Sequence, residues 1–126
     1  MSQRKYAPTH EWVEIKDGLL VVGLSQFAVD QLTDVIYIDL PKVGMTVTSG
    51  QPVAEIESVK AVSDIYAPVE GEITEVNTVL ATDASIVSRD PFVEGWLFKI
   101  KPTSADPTSR LLSEVEYQAQ IAGQAH

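Results

Sequence analysis

Between Lys42 and Arg89 the chain has a single basic residue, Lys60. It stands in "EIESVKAVSDIYAPVEGEI", residues 55–73, flanked by Val59 and Ala61, with Glu55, Glu57, Asp64, Glu70 and Glu72 close in sequence. Three kinds of chemistry suit a lysine so placed. As a counter-charge to Glu55, Glu57 or Asp64 it would give the modest stabilisation of an exposed ion pair. As a catalytic amine it would need a depressed pKa, from an apolar pocket or a second cation. The neighbouring carboxylates act the other way, by stabilising the ammonium, so a Schiff-base role is disfavoured. The third job is attachment: a lysine displayed between two β units, free of competing lysines, can be acylated by an enzyme that reads the position and shape of the turn. No Asn-Gly or similar signal marks that turn, so its place at a tip rests on the internal repeat described below.

Other reactive residue types are few. The 126 residues include no cysteine, which removes disulfides, thiolate nucleophiles and cysteine metal sites. Any redox chemistry must come from a cofactor. His10 has no second histidine or carboxylate at metal-ligand spacing, so no metal is expected, and a lone histidine is ordinarily structural. With Lys+Arg 9 against Asp+Glu 18, the formal charge of −9 repels phosphates and anionic lipid. Neither nucleic acid nor membrane is an expected partner; the sign favours basic docking surfaces or cationic cargo, with a simple solubility role for the acidic surface as the alternative. The start, "MSQRKYAPTHEW", lacks an apolar signal-peptide core, and no stretch is long and apolar enough to span a bilayer. The expected location is cytoplasmic, or the mitochondrial matrix if a transit segment has been removed.

The elements that must position these residues are mostly β. "EWVEI", "LLVVGL", "VIYIDL", "PVAEIES", "SDIYAPV", "EITEVN" and "WLFKI" are short, rich in β-branched and aromatic residues, and punctuated by Gly, Pro, Asn and Asp. "KDG" at Asp17 and Gly18 predicts a hairpin between the first two strands. In "SQFAVDQLT", Ser25 as N-cap and Leu24, Ala28 and Leu32 on one face predict a short helix. "KPTSADPTS" reads as a connection into a C-terminal helical segment, about 106–121, where Ser113 and Glu116 form a capping box and Leu111, Leu112, Val115 and Ala119 an apolar stripe. The last residues, "GQAH", are expected to fray. One domain over 1–126 is expected, with a β core at about 12–100.

A shift of 33 residues aligns Leu40 with Ile73, Val43 with Val76, Gly44 with Asn77, Val47 with Leu80, Gly50 with Asp83 and Val53 with Ile86. Apolar positions stay apolar, and Gly is replaced by residues that tolerate left-handed backbone. This pattern predicts two related β units flanking Lys60, with Leu40/Ile73, Val47/Leu80 and Val53/Ile86 in equivalent interior positions. Two unrelated hairpins with ordinary turn chemistry are the alternative.

"ESVKAVSD" followed by "APVEGEITEVN", with "HEWV" before and "EGWLFKIK" after, closely resembles the glycine cleavage system H-protein family of lipoyl carriers. The likeness runs from Tyr6 to about Tyr117 and takes in "VGLSQFAVDQL" and "LPKVGMTVTSGQP". It implies a pseudo-symmetric, mainly β, lipoyl/biotinyl-type flattened barrel or sandwich with two added helices. It also implies that Lys60 carries lipoic acid in amide linkage, attached by a lipoylating enzyme. The protein itself would be a non-catalytic shuttle. Its arm would take an aminomethyl group from a pyridoxal-phosphate-dependent glycine decarboxylase to a tetrahydrofolate-dependent aminomethyltransferase. A flavin-dependent dihydrolipoyl dehydrogenase would then reoxidise it. The family parks the loaded arm in a cleft, and the matching contact positions here are Thr9, Glu11 and Asp64; for the two acids, solvated strand ends are the alternative. The family commonly has Tyr-Gly where this chain has Phe92 and Val93, so that loop and any partner contact there are expected to differ. A biotin carrier, or a lipoyl domain of another multienzyme complex, is the rival. Biotin domains place methionines beside their lysine, and 2-oxoacid dehydrogenase domains an aspartate before it, whereas here Val59 and Ala61 flank Lys60.

Overall fold

Asp17 and Gly18 both have positive φ, 53° and 79°, the conformation a two-residue turn needs when its twist must match the strands it joins. The computed structural model, which describes residues 4–7, 9–32, 35–59, 61–92, 94–103 and 111–124, places that hairpin where the sequence predicts it. In chain order the elements are β1 (Lys5–Tyr6), β2 (Glu11–Lys16), β3 (Leu19–Leu24), α1 (Gln26–Leu32), β4 (Val35–Asp39), β5 (Thr46–Val47), β6 (Pro52–Ser58) and β7 (Val62–Tyr66). They continue with β8 (Gly71–Val76), α2 (Val79–Thr82), α3 (Ile86–Arg89), β9 (Phe98–Pro102) and α4 (Glu114–Gln124).

All strand pairings are antiparallel. One sheet has the order β1-β2-β3-β9-β8-β5 and the other β4-β6-β7. They form a flattened sandwich, mainly β as expected. Alternating side chains from both sheets, including Val13, Val22, Ile38, Ile56, Ile65 and Ile73, meet in one buried cluster, which also takes Val29 and Leu32 from α1. A second cluster lies around Tyr6, Trp12, Val21 and Tyr117, with Ile121 of α4 packed against it.

Both predicted helix starts are built from the predicted residues. The Ala28 N–H donates to Ser25 Oγ at 3.2 Å, which satisfies one of the free donors of the first turn. Ser113 N–H donates to Glu116 Oε1 at 2.9 Å, and Glu116 N–H to Ser113 Oγ at 3.2 Å, a reciprocal capping box.

Other expectations change. The apolar stripe of α4 is not Val115 and Ala119: Val115 is 79% exposed and Ala119 also faces outward, while Tyr117 is 1% exposed. Helical spacing allows both faces, and the Leu112 bridge to Tyr6 selects the one carrying Tyr117 and Ile121. The helix begins at Glu114, residues 104–110 lie outside those described, and the helix runs through Gly123 to Gln124, where fraying was expected. The 33-residue shift does not relate two similar backbone traces. Val47 lies in a strand, and its counterpart Leu80 in the single turn α2. Gly44 and Gly50 have φ of 92° and 86°, but Asn77 and Asp83 are not left-handed. The apolar members still reach the core: Val47, Ile73, Leu80 and Ile86 are buried, and Leu40 and Val53 pack against it. The pattern therefore records which positions face inward and not a repeated fold.

Candidate functional site

The connection between β6 and β7 is short, residues 59–61. Ser58 N–H donates to the Ala61 carbonyl at 2.8 Å, and the Ala61 N–H returns a bond to Ser58 Oγ at 3.2 Å. Ser58 Oγ also donates to the Ala61 carbonyl at 3.2 Å. Only Val59 and Lys60 separate these residues in sequence. Val59 is 67% exposed and Ala61 is exposed. Lys60 lies outside the described residues, so the expectation that its side chain is solvent-exposed is carried by its neighbours alone. Behind the connection, Glu57 pairs with Val62, Ile56 with Ser63 and Glu55 with Asp64. The buried Ile56 and Ile65 anchor both strands to the core. A strand pair held this way, with solvent-facing residues on both sides of the lysine, fits a covalently attached acyl group.

Of the three expected arm contacts, the structure joins two. Thr9 Oγ1 donates to Glu11 Oε1, and the Tyr66 backbone N–H donates to Glu11 Oε2 at 3.2 Å. Glu11 is 1% exposed, so the solvated strand-end reading is overturned for this residue. On β2 it shares a face with Val13, and its carboxylate bridges to the other sheet at the end of β7. Burial pushes the Glu11 carboxyl up from its ordinary value, partly offset by the Thr9 hydroxyl and the Tyr66 N–H. Asp64 stands two residues before Tyr66 on β7 and is exposed. Among the described residues no hydrogen bond or ion pair joins it to Glu11. The candidate site thus has a buried carboxylate behind exposed Thr9, and an exposed carboxylate further along the strand that leads back to the β6–β7 connection.

His10, between Thr9 and Glu11, has φ of 83°, an uncommon and costly backbone state for a residue with a side chain. Its N–H donates to the Ala7 carbonyl at 2.9 Å, and its carbonyl accepts from Ser25 N–H at 2.9 Å. Its Nδ1 is 2.7 Å from the Tyr117 hydroxyl. Burial lowers its pKa, which favours the neutral ring. The structural reading of His10 is therefore the better one. No group of three or more His, Cys, Asp or Glu side chains able to hold a metal occurs among the described residues. Sequence reasoning missed Tyr117 and the Tyr66 N–H. Tyr117 is the one aromatic residue in "RLLSEVEYQAQIA", which could have marked the buried face of the helix.

A family model described as Glycine cleavage H-protein matches residues 4–124. The chain belongs to that family. A glycine cleavage system H protein of Acinetobacter baumannii is 46% identical over 120 residues, covering 95% of this chain and 97% of its own. One from Thermotoga maritima is 48% identical over 118 residues, covering 94% and 95%. The crystal structure of a glycine cleavage system H protein from Mycobacterium marinum superposes with a TM-score of 0.88 at 39% identity, over 95% of this chain and 97% of that one. The family is the lipoate-bearing carrier of the glycine cleavage system, so lipoic acid is this chain's cofactor and its partners lie within that system. The rival carriers, biotinyl or serving another complex, give way to this membership. Among the described residues no helix is long and apolar enough to cross a membrane.

Proposed function

We propose that Lys60 is the lipoyl-lysine and that this chain acts as a non-catalytic carrier in the cytoplasm, with the whole chain working as one domain. The observation that carries the reading is the three-residue β6–β7 connection, held by the bonds between Ser58 and Ala61 and solvent-facing at Val59 and Ala61, within the family's "ESVKA" motif. A lipoylating enzyme would read that tip. Its successive partners would be the pyridoxal-phosphate-dependent glycine decarboxylase, the tetrahydrofolate-dependent aminomethyltransferase and the FAD-dependent dihydrolipoyl dehydrogenase.

The chemistry supplied by bound lipoamide is a reducible disulfide with a sulfur that accepts an aminomethyl group. The chain's own residues present and protect. The hairpin gives the arm a fixed origin, so each docked active site sees it at high local concentration. Acylation removes the Lys60 charge and leaves Glu55, Glu57 and Asp64 without their nearest cation in sequence. Asp64 at the surface and the Thr9–Glu11 pair are the residues that would hold a cationic amine carried by the arm, and the chemistry they would supply is charge-assisted hydrogen bonding. Supporting this reading are the burial of Glu11, its bond to Thr9, and the position of Asp64 on the strand leading from the hairpin to Tyr66.

The test is intact mass after expression in a lipoylation-competent host. Wild type is expected to gain one lipoyl group and Lys60→Arg none. A lipoyl increment that persists in Lys60→Arg, or a biotin increment in wild type, would overturn the assignment.

A further inference from the structure

We infer that Tyr117, on the C-terminal helix, is a positioning residue for the Thr9–Glu11 turn: its hydroxyl, seated between the His10 ring and the Ser25 hydroxyl, sets where the Glu11 carboxylate stands. The inference rests on the proposed role of Thr9 and Glu11 toward the arm.

The Tyr117 hydroxyl is 2.7 Å from His10 Nδ1 and 2.6 Å from Ser25 Oγ. It has one proton, so it donates to one of these partners and accepts from the other. Ser25 also donates its N–H to the His10 carbonyl and caps α1 through Ala28 N–H. His10 is therefore gripped at its ring by Tyr117 and at its carbonyl by Ser25, in addition to its N–H bond to the Ala7 carbonyl. The grip has a purpose that burial alone does not explain. A left-handed His10 persists only where its surroundings over-determine it, and this residue directs the backbone between Thr9 and Glu11. Released to an ordinary φ, it would carry Thr9 Oγ1 away from Glu11 and turn the carboxylate from the Tyr66 N–H.

The helix is itself held rigidly. Tyr117 stacks on Tyr6 with ring centroids 4.3 Å apart and planes 5° from parallel, and the Tyr6 hydroxyl donates to Glu114 Oε1 at 3.1 Å. Leu112 and Tyr6 exchange two backbone bonds of 2.7 Å. Burial raises the Tyr117 pKa, opposed by its bond to Ser25, with smaller increases from the charges of Glu11 and Glu114. A helix far along the chain thereby fixes an acid near the start.

The decisive readout does not need the arm. In the unlipoylated full chain with 13C-labelled glutamate carboxyls, the Glu11 titration midpoint is followed by NMR, with Glu11→Gln supplying the assignment. Tyr117→Phe keeps the ring stack and removes the hydroxyl; it is expected to lower the Glu11 midpoint toward the ordinary carboxylate value by about half a unit or more, as the turn loosens and water reaches the carboxylate. Tyr6→Phe removes a phenol hydroxyl from the same helix contact without touching His10 and is expected to leave the midpoint in place. Should Tyr117→Phe fail to fold, His10→Phe, which keeps a ring but has neither the ring nitrogen nor a tolerance for left-handed backbone, is read in the same way. An unchanged midpoint in the folded variant, or an equal fall in Tyr6→Phe, overturns the positioning role. On the lipoylated protein, Glu11→Gln separates the two levels. If it leaves the lifetime of the loaded arm unchanged, the proposed arm contact fails, while the Glu11 midpoint still decides the positioning of the turn.

Discussion

The β6–β7 connection and the Thr9–Glu11 turn are two ends of one proposed path, and they are built in opposite ways. The connection has three residues, exposed at Val59 and Ala61, and three short-range bonds between Ser58 and Ala61. The turn has a buried acid, a left-handed histidine and hydrogen bonds reaching β7, Ser25 before α1, and α4. A group that several enzymes must reach needs to stand clear of its own protein, so contacts there would only obstruct. A group that must receive an amine in one geometry needs its charge fixed beforehand, because an acid free to reorient loses entropy on binding. The contrast teaches that the proposed display and reception place opposite demands on packing in the same small sandwich.

The contrast can be broken first at the packed end. Trp12 is 1% exposed, and its Nε1–H donates to the Pro91 carbonyl at 2.9 Å. Trp12→Ala is expected to cost about 3–5 kcal/mol, measured by urea denaturation. A loss below about 1 kcal/mol would mean that this end is not rigidly packed.

The two acids proposed to receive the amine come next. If Glu11 and Asp64 hold the cationic amine, Glu11→Gln with Asp64→Asn is expected to shorten the loaded form's lifetime by roughly tenfold or more, the scale of a lost charge-assisted bond. Lipoylation itself should persist in the double variant. Equal lifetimes in purified wild type and variant would remove both residues from the site.

The pH dependence sharpens the comparison further. Glu11 is raised above its ordinary value of 4.5 by burial. Between that value and its folded value, the folded chain holds a proton that the unfolded chain has released. The stability from this group is complete below 4.5 and is lost as pH rises through the folded value. Glu11→Gln should remove a decline of at most about 1.4 kcal/mol per pH unit in that window. The comparison of variant with wild type cancels the contribution of His10, whose lowered pKa acts with the opposite sign. Parallel stability curves would show that Glu11 titrates like a surface acid.

The smallest effect is expected at the display end. Val59→Ser and Lys60→Ala should each change stability by no more than about 0.5 kcal/mol in chemical denaturation. A loss of about 2 kcal/mol or more at either position would mean that the connection is packed like the turn it is contrasted with.

How far these regions could be read from sequence follows the range of the interactions that make them. The Asp17–Gly18 turn, the Ser25 cap, the Ser113–Glu116 box and seven of the strands depend on residues within a few positions of one another, so residue identity specifies them. The Lys60 segment was legible for a related reason: an isolated lysine among acids and its motif are both properties of one short stretch. The burial of Glu11 was not, because it requires β7 to bring a backbone N–H across from the other sheet. The strand "EWVEI" gives no sign of which acid lies beneath a second layer. Nor could the sequence choose between the Val115 and Tyr117 faces of α4, since both satisfy helical spacing and only the Leu112–Tyr6 bridge selects one. The 33-residue pattern failed as a structural repeat because inward-facing apolar positions recur in strands and single helical turns alike. Sequence determined the local turns and caps, most of the strands and the lysine that stands apart. Tertiary structure decided which acid is buried and which backbone N–H bonds to it, because those outcomes depend on surfaces contributed by residues far along the chain.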